Sequence, residues 1–315
     1  MQSLDKNAIS SALNEKAGFQ VWWRLLRPHT LTASFVPVFV GTMAALLDAS
    51  VNFWLFAAML LASMLIQAAT NMFNEYYDFV RGLDNEKSVG IGGTIVRDGV
   101  APQTVLRLAL SFFAIAVMLG VYICLESSWW IAAIGIISML CGYLYTGGPY
   151  PIAYTPFGEL IAGFFMGTVI IGISYFIQTM EVTGSVVWIS IPVAIFIGTI
   201  MLSNNIRDLE GDKENGRKTI AILIGRKNAV LLLASLFTIS YLLMAVYVFT
   251  GILPIWSFIT LLGTKKAVSA VKGFKGKTVN LEMMPAMKAT AQTNTFFGLL
   301  LGLSLLIEYF IPFHF

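Results

Sequence analysis

The sequence predicts an all-α, polytopic membrane protein of about nine transmembrane helices, and three observations carry that prediction. Hydrophobic residues make up 57% of the 315-residue chain and charged residues 12%, with a mean hydropathy of +0.78. A soluble chain carries about 25% charged residues. Apolar stretches of about 20 residues recur along nearly the whole chain, the length that crosses a hydrocarbon core of about 30 Å. Finally, lysines and arginines collect on one side of such a bundle. The period-two alternation of a membrane β-barrel is absent.

The elements follow in order. Residues 1–20 are polar, carry both signs of charge and have neither an apolar core nor a small-residue cleavage site, so no signal peptide is expected there. Trp22 and Trp23 beside Arg24 and Arg27 have the composition of a helix lying at the membrane interface. Residues 1–29 thus form an arm and interfacial helix ahead of a single transmembrane domain, 30–315. Its spans are expected at 30–48, 53–74, 105–125, 129–146, 158–179, 186–204, 228–250, 252–270 and 290–311. Lys265 and Lys266 cut the apolar run of the eighth short. Cys124 and Cys141, isolated thiols in successive spans, read as small core residues.

With nine spans, the N-terminal arm shares a side with the 2–3, 4–5, 6–7 and 8–9 loops. All 20 Lys and Arg residues fall on that side or in the adjoining helix ends, whereas Asp48, Glu126, Glu181 and Glu308 fall on the other. The positive-inside rule then places the N-terminus in the cytoplasm, in a multi-pass protein of the cell membrane. Lys265, Lys266, Lys272, Lys275 and Lys277 form a basic run suited to anionic lipid headgroups. The 2–3 and 6–7 loops are long and rich in carboxylates. They lie four spans apart, as two four-helix halves followed by a ninth helix would place them.

Chemistry concentrates at the ends of spans 2 and 6. The first motif runs Asn71-Met-Phe-Asn74-Glu75-Tyr-Tyr-Asp78-Phe-Val-Arg81-Gly82-Leu-Asp84. The second runs Asn204-Asn205-Ile-Arg207-Asp208-Leu-Glu210-Gly211-Asp212 and continues to Gly216-Arg217-Lys218-Thr219. Asn74 and Asp78, Asn204 and Asp208, and Asp208 and Asp212 are each four apart, so each pair shares a helix face. Asp84 joins the first set if the chain turns at Gly82. Hard oxygen donors with incomplete protein coordination suit Mg2+, which completes its shell with water and phosphate. Asn74, Asp78, Asp84, Asn204, Asp208 and Asp212 are therefore the candidate metal ligands. Among them Asp78, Asp208 and Asp212 are the candidates for carrying the chemistry. Arg81, Lys87, Arg97, Arg207 and Lys218 are the candidate cations for a bound diphosphate. Either motif alone also reads as a solvated, salt-bridged loop end. Two at matched helix ends favour function, because carboxylates at membrane depth are costly.

These paired motifs resemble those of the UbiA superfamily of intramembrane prenyltransferases, from Arg27-Pro28 through the last span. Two phrases narrow the resemblance: Gly90-Ile-Gly-Gly-Thr-Ile-Val-Arg97 and the 4–5 loop from Tyr145-Thr-Gly-Gly-Pro-Tyr-Pro through Thr-Pro-Phe-Gly-Glu159. Both are similar to the dihydroxynaphthoate polyprenyltransferases of menaquinone synthesis. The resemblance implies nine spans around a central cavity, Mg2+, a polyprenyl diphosphate donor, 1,4-dihydroxy-2-naphthoate as acceptor and demethylmenaquinone as product. Membrane lipids are the other partners; no nucleic acid or protein partner is expected. Glu75 departs from the Asp that many members carry after the motif Asn. The Lys-Arg pair that hydroxybenzoate enzymes carry in the 4–5 loop is absent.

Ionisation of an allylic diphosphate leaves a cation that aromatic faces stabilise. Phe73, Tyr76, Tyr77, Tyr143 and Tyr145 lie near the expected depth, with Tyr77, Tyr143 and Tyr145 as the candidates. Arg97 and Lys87 are candidates for the acceptor carboxylate. Glycines 90, 92 and 93 suit a lid or a plain flexible turn; His29 is a base or a structural polar residue; Glu159 suits a helix-dipole role or a functional one. Hydroxybenzoate, homogentisate and a haem vinyl group remain alternative acceptors. A cation-coupled transporter is a remote alternative, since its sites sit on broken helices at the membrane midplane.

Overall fold

The computed structural model describes residues 18–84 and 93–313, and among them every regular element is helical. A short helix α1 (Phe19–Leu26) ends at Arg27, whose φ of 50° turns the chain directly into α2 (Pro28–Asp48). Leu25 of α1 packs into a cluster with Met72, Phe73 and Val105, so this short helix is docked on the bundle. Next come α3 (Phe53–Val80), the short α4 (Thr94–Asp98), α5 (Pro102–Glu126), α6 (Trp130–Thr146) and α7 (Gly158–Thr179). Then follow α8 (Gly184–Glu214), the short α9 (Ile220–Ile224), α10 (Arg226–Phe249), α11 (Thr264–Phe274) and α12 (Asn280–Phe310). Among the described residues, seven helices are long and apolar enough to cross a membrane: α2, α3, α5, α7, α8, α10 and α12.

The two remaining expected spans take other forms. The α6 helix has 17 residues and is the shorter apolar helix. The eighth is composite: nine residues of 3-10 helix (Ile255–Gly263) lead into the eleven of α11. A 3-10 turn rises about 2.0 Å per residue against about 1.5 Å in an α-helix, so the composite reaches about 34 Å. Its wall against α12 is sealed by Ser257 and Ser304, whose buried hydroxyls lie 3.0 Å apart.

Helices α3 and α8 run past the ends expected from hydropathy, to Val80 and Glu214 rather than 74 and 204. Both carboxylate motifs are therefore helical extensions of membrane spans. Each stops in the same way. Gly82 and Gly216 take left-handed φ values of 72° and 76°, a conformation that favours glycine. The chain then folds back, so that the amide N–H of Asp84 donates to the carbonyl of Asp78 (3.1 Å) and that of Arg217 to the carbonyl of Asp212 (3.0 Å).

Close approach of small residues holds the bundle. A methyl group added at Gly298 or Gly302 of α12 would overlap Val36 or Phe39 of α2. One added at Gly167 of α7 would lie 2.5 Å from the Cα of Ala194 in α8. Small residues serve this purpose where lipid removes the hydrophobic drive between helices. A turn of π-helix (Phe164–Val169) lies inside α7. On the loop side, buried Glu75 accepts hydrogen bonds from the Thr94 hydroxyl and from the Ile95 N–H (3.0 Å), pinning α4 to α3.

Gly298→Leu is expected to lower the unfolding midpoint in detergent by the equivalent of about 1–3 kcal/mol, the usual cost of overpacking. Gly172→Ala, where an added carbon meets nothing within 4 Å among the described residues, should not lower it. Glu75→Ala is expected to accelerate amide hydrogen exchange across 94–98, because two donors lose their acceptor.

Candidate active site

A cavity of about 840 Å3 runs through the bundle. Its polar end is lined by Arg27, Asn74, Asp78, Asp84, Arg97, Asn204, Arg207, Asp208, Asp212 and Arg217. Its other walls are largely apolar, with Ser34, Ser63, Gln67 and Thr70 among them, and reach Met59 of α3, Ile123 and Cys124 of α5 and Ile131 of α6. Met59 and Asp78 both line it and lie 19 positions apart on one helix, so the cavity extends about 28 Å along α3.

All six candidate metal ligands thus face one space. Asn74 donates from Nδ2 to Asp78 Oδ2 at 2.9 Å. Asp84 enters the wall through the fold-back after Gly82. Among the described residues no three His, Cys, Asp or Glu side chains converge tightly enough to chelate an ion alone. The donor set is nevertheless all oxygen, split between two clusters, which fits Mg2+ arriving with a phosphate that completes its shell.

The two clusters are joined by Arg217. Its guanidinium contacts Asp78 Oδ1 and Asp212 Oδ1, each at 3.0 Å, and lies 4.9 Å from the centroid of the Tyr154 ring. Burial alone would lower the Arg217 pKa, but Asp78 and Asp212 outweigh it and raise it, so the cation persists at any physiological pH. Sequence reasoning chose its neighbour Lys218. That side chain is exposed and does not line the cavity, while its backbone N–H donates to the carbonyl of Tyr154 at 2.8 Å. The fold-back at Gly216 decides which of the two cations turns inward.

The other candidates divide. Arg97 lines the cavity. Arg207 lines it too, forming a two-pronged pair with Asp208 (Nε to Oδ1 2.7 Å) and donating to the Met284 sulfur at 3.5 Å. Arg81 does not line it: its guanidinium donates to the carbonyls of Thr146 and Gly148 and lies over the Tyr77 ring, holding the 4–5 loop in place. Tyr77 and Tyr143 share a hydrogen bond of 2.6 Å behind the wall, and only Tyr145 of the three tyrosines lines the cavity. Glu75, which could have been a ligand, is committed to α4. Lys87, Gly90 and Gly92 lie outside the described residues, as does the side chain of His29.

Sequence reasoning missed Arg27 as a site residue. It lines the cavity and donates to Asn74 Oδ1 at 2.8 Å, because its left-handed turn aims the side chain inward between α1 and α2. Asn71 supports that corner, donating to the Leu26 carbonyl and to the Thr30 hydroxyl. A non-glycine residue at positive φ has no sequence signal beyond the Pro that follows it. Cys124 and Cys141, read as core residues, also line the cavity.

Comparison with known proteins agrees with this architecture. The chain matches the UbiA prenyltransferase family over residues 34–278. It is 55% identical over 310 residues to the 1,4-dihydroxy-2-naphthoate octaprenyltransferase of Bacillus subtilis, covering 98% of this chain and 100% of that protein. It is 27% identical over 278 residues to the protein of the same description from Mycobacterium tuberculosis, covering 87% of this chain and 92% of that one. Among solved structures, an apo UbiA homolog from Aeropyrum pernix superposes with a TM-score of 0.66 at 15% identity, covering 89% of this chain and 98% of that one. A UbiA homolog from Archaeoglobus fulgidus bound to DMAPP and Mg2+ superposes with a TM-score of 0.61 at 19% identity, with the same coverage. Those two likenesses are of fold. The family match spans most of the chain and the Bacillus relative nearly all of it, so this protein belongs to the UbiA prenyltransferase family.

Proposed function

We propose that this chain transfers a polyprenyl group from polyprenyl diphosphate to 1,4-dihydroxy-2-naphthoate with loss of CO2, leaving the prenylated ring as the quinol that a separate two-electron oxidation converts to demethylmenaquinone. The observation that carries the reading is one cavity, about 28 Å long along α3, with two carboxylate clusters and several arginines at one end and largely apolar walls behind them. That division matches a donor with a charged head and a long hydrocarbon tail. The description of the Bacillus relative supports this acceptor, and so does the 4–5 loop.

Asn74, Asp78, Asp84, Asn204, Asp208 and Asp212 would hold Mg2+, which neutralises charge on the departing diphosphate. Mg2+ and DMAPP bound to the Archaeoglobus homolog support the use of a divalent metal. Arg27, Arg97, Arg207 and Arg217 present fixed positive charge to the same oxygens. The carbon–oxygen bond breaks heterolytically and its electron pair leaves with the diphosphate. The largely apolar walls limit the water that can reach the allylic cation, and Tyr145 offers it an aromatic face. The ring then bonds at its carboxyl-bearing carbon, and the C–CO2 pair returns to the ring as CO2 leaves. No net proton is released, so this acceptor requires no general base.

The chain is read as nine spans in one domain, two four-helix halves and a ninth, after the arm at 1–29. The N-terminus and the mouth of the site face the cytoplasm, a reading supported by the one-sided Lys and Arg distribution.

The test is incubation of purified protein with Mg2+, labelled polyprenyl diphosphate and either dihydroxynaphthoate or hydroxybenzoate. Product is expected from the first alone and should vanish in EDTA. Product from hydroxybenzoate instead would overturn the acceptor assignment. Asp78→Ala and Asp208→Ala are each expected to lower kcat by about 100-fold or more, the scale of losing electrostatic stabilisation of a leaving group. Arg217→Ala should lower the unfolding midpoint in EDTA by the equivalent of about 3 kcal/mol, the scale for stripping one partner from a buried ion pair. Added Mg2+ should recover more of that midpoint in the variant than in the parent.

A further inference from the structure

We propose that Glu159 and Asn205 form the element that reads the acceptor. Glu159 holds the Asn205 amide so that its carbonyl oxygen accepts a hydrogen bond from a ring hydroxyl of the aromatic acceptor. The inference rests on the function proposed above and deepens it.

Asn205 lies on α8 beside the metal-ligand candidate Asn204, and it lines the cavity. Its Nδ2 donates to Glu159 Oε1 at 2.8 Å. Glu159 does not line the cavity; it is buried behind the wall in the first turn of α7. The two helices meet closely there, since a carbon added at Gly198 would lie 3.1 Å from the Glu159 carbonyl. With the amide nitrogen committed to the carboxylate, the oxygen is the group that Asn205 presents inward. Tyr145 lines the cavity nearby, its hydroxyl 3.2 Å from the carbon that would be added at Gly158, next to Glu159.

Two features argue that the pair is there for recognition. Among the described residues Glu159 Oε2 is buried with no hydrogen-bond partner, a cost that packing alone does not justify. The arrangement also keeps negative charge one layer back from the reacting space. A carboxylate at position 205 would compete for Mg2+ and repel an acceptor that is itself a carboxylate. An amide oxygen avoids both, yet still draws electron density into the ring by accepting the hydroxyl proton's hydrogen bond. Glu159 is a positioning residue in this scheme, and Asn205 is the group that touches substrate. The pair also gives a role to the end of the 4–5 loop motif, which diphosphate chemistry does not use.

The experiment measures inhibition constants of 1-hydroxy-2-naphthoate and 4-hydroxy-2-naphthoate against dihydroxynaphthoate. A site built to bond a hydroxyl discriminates against the analogue lacking it, and a neutral hydrogen bond sets a gap of about tenfold between the two in the parent protein. In Asn205→Leu the gap should close. In Glu159→Gln, which keeps the shape but lets the amide turn over, it should narrow to about threefold. The donor KM should stay within about twofold in both variants. No gap in the parent, or a gap that survives in both variants, overturns the inference. So does a rise in donor KM matching the loss for the acceptor, which would make the pair a packing element. If the parent makes no prenylated naphthoate at all, the proposed function itself falls. If it makes product but shows no gap, only this inference falls.

Discussion

The site depends on one contact: the Arg217 guanidinium set between Asp78 and Asp212. Those carboxylates sit on different helices, α3 and α8, at the end of a largely apolar cavity. Without a cation between them they would repel in a medium that screens poorly. Arg217 therefore brings the two motifs together before any substrate arrives. The ring of Tyr154 beneath it and the Lys218–Tyr154 backbone bond tie the same arginine to the 4–5 loop. Three segments distant in sequence meet at a single side chain, and the positive charge that joins them is of the kind a diphosphate would seek.

Much of this was legible in the sequence, for physical reasons that also mark where legibility ended. Hydropathy locates spans well because lipid demands apolar surface, but it registers where the membrane stops and not where a helix stops. Hence α3 and α8 were cut at 74 and 204 although they continue to Val80 and Glu214. The four-residue spacing grouped oxygen donors that do line one cavity, because that spacing is a property of any helix. The cations were harder. Arg81, Arg217 and Lys218 all lie where the helical phase has broken, and a single glycine at positive φ decides which side chain turns inward. Composition cannot tell Arg81, spent on two loop carbonyls, from Arg217, spent on two carboxylates. Two of the three aromatic candidates sit off the cavity for a similar reason: Tyr77 and Tyr143 satisfy each other behind the wall, and the pairing across α3 and α6 has no local signature.

Glu75 shows how a departure from a family pattern acquires a structural meaning. One methylene longer than Asp, it reaches the Thr94 hydroxyl and the Ile95 amide and joins α4 to α3. Arg97 lies on that short helix, and Asp98 there pairs with Arg24 of α1 at 2.9 Å. A cation of the cavity wall is thus carried on an element fastened at two points.

The π-turn in α7 has a consequence for the whole bundle. Gly163, Gly167, Ile171 and Ser174 would share one stripe of an unbroken α-helix, yet the two glycines face Ala194 of α8 whereas Ile171 and Ser174 face Gly41 of α2. The extra residue in the turn at Phe164–Val169 sets the phase of the lower half back by about 100°. A single continuous rod can then present its small residues to one neighbour at one depth and to another at a different depth, with Phe165 and Ile173 still turned to the cavity. The π-turn works as a phase shifter: it lets one helix satisfy two lattices of contacts that no helix of uniform pitch could serve together.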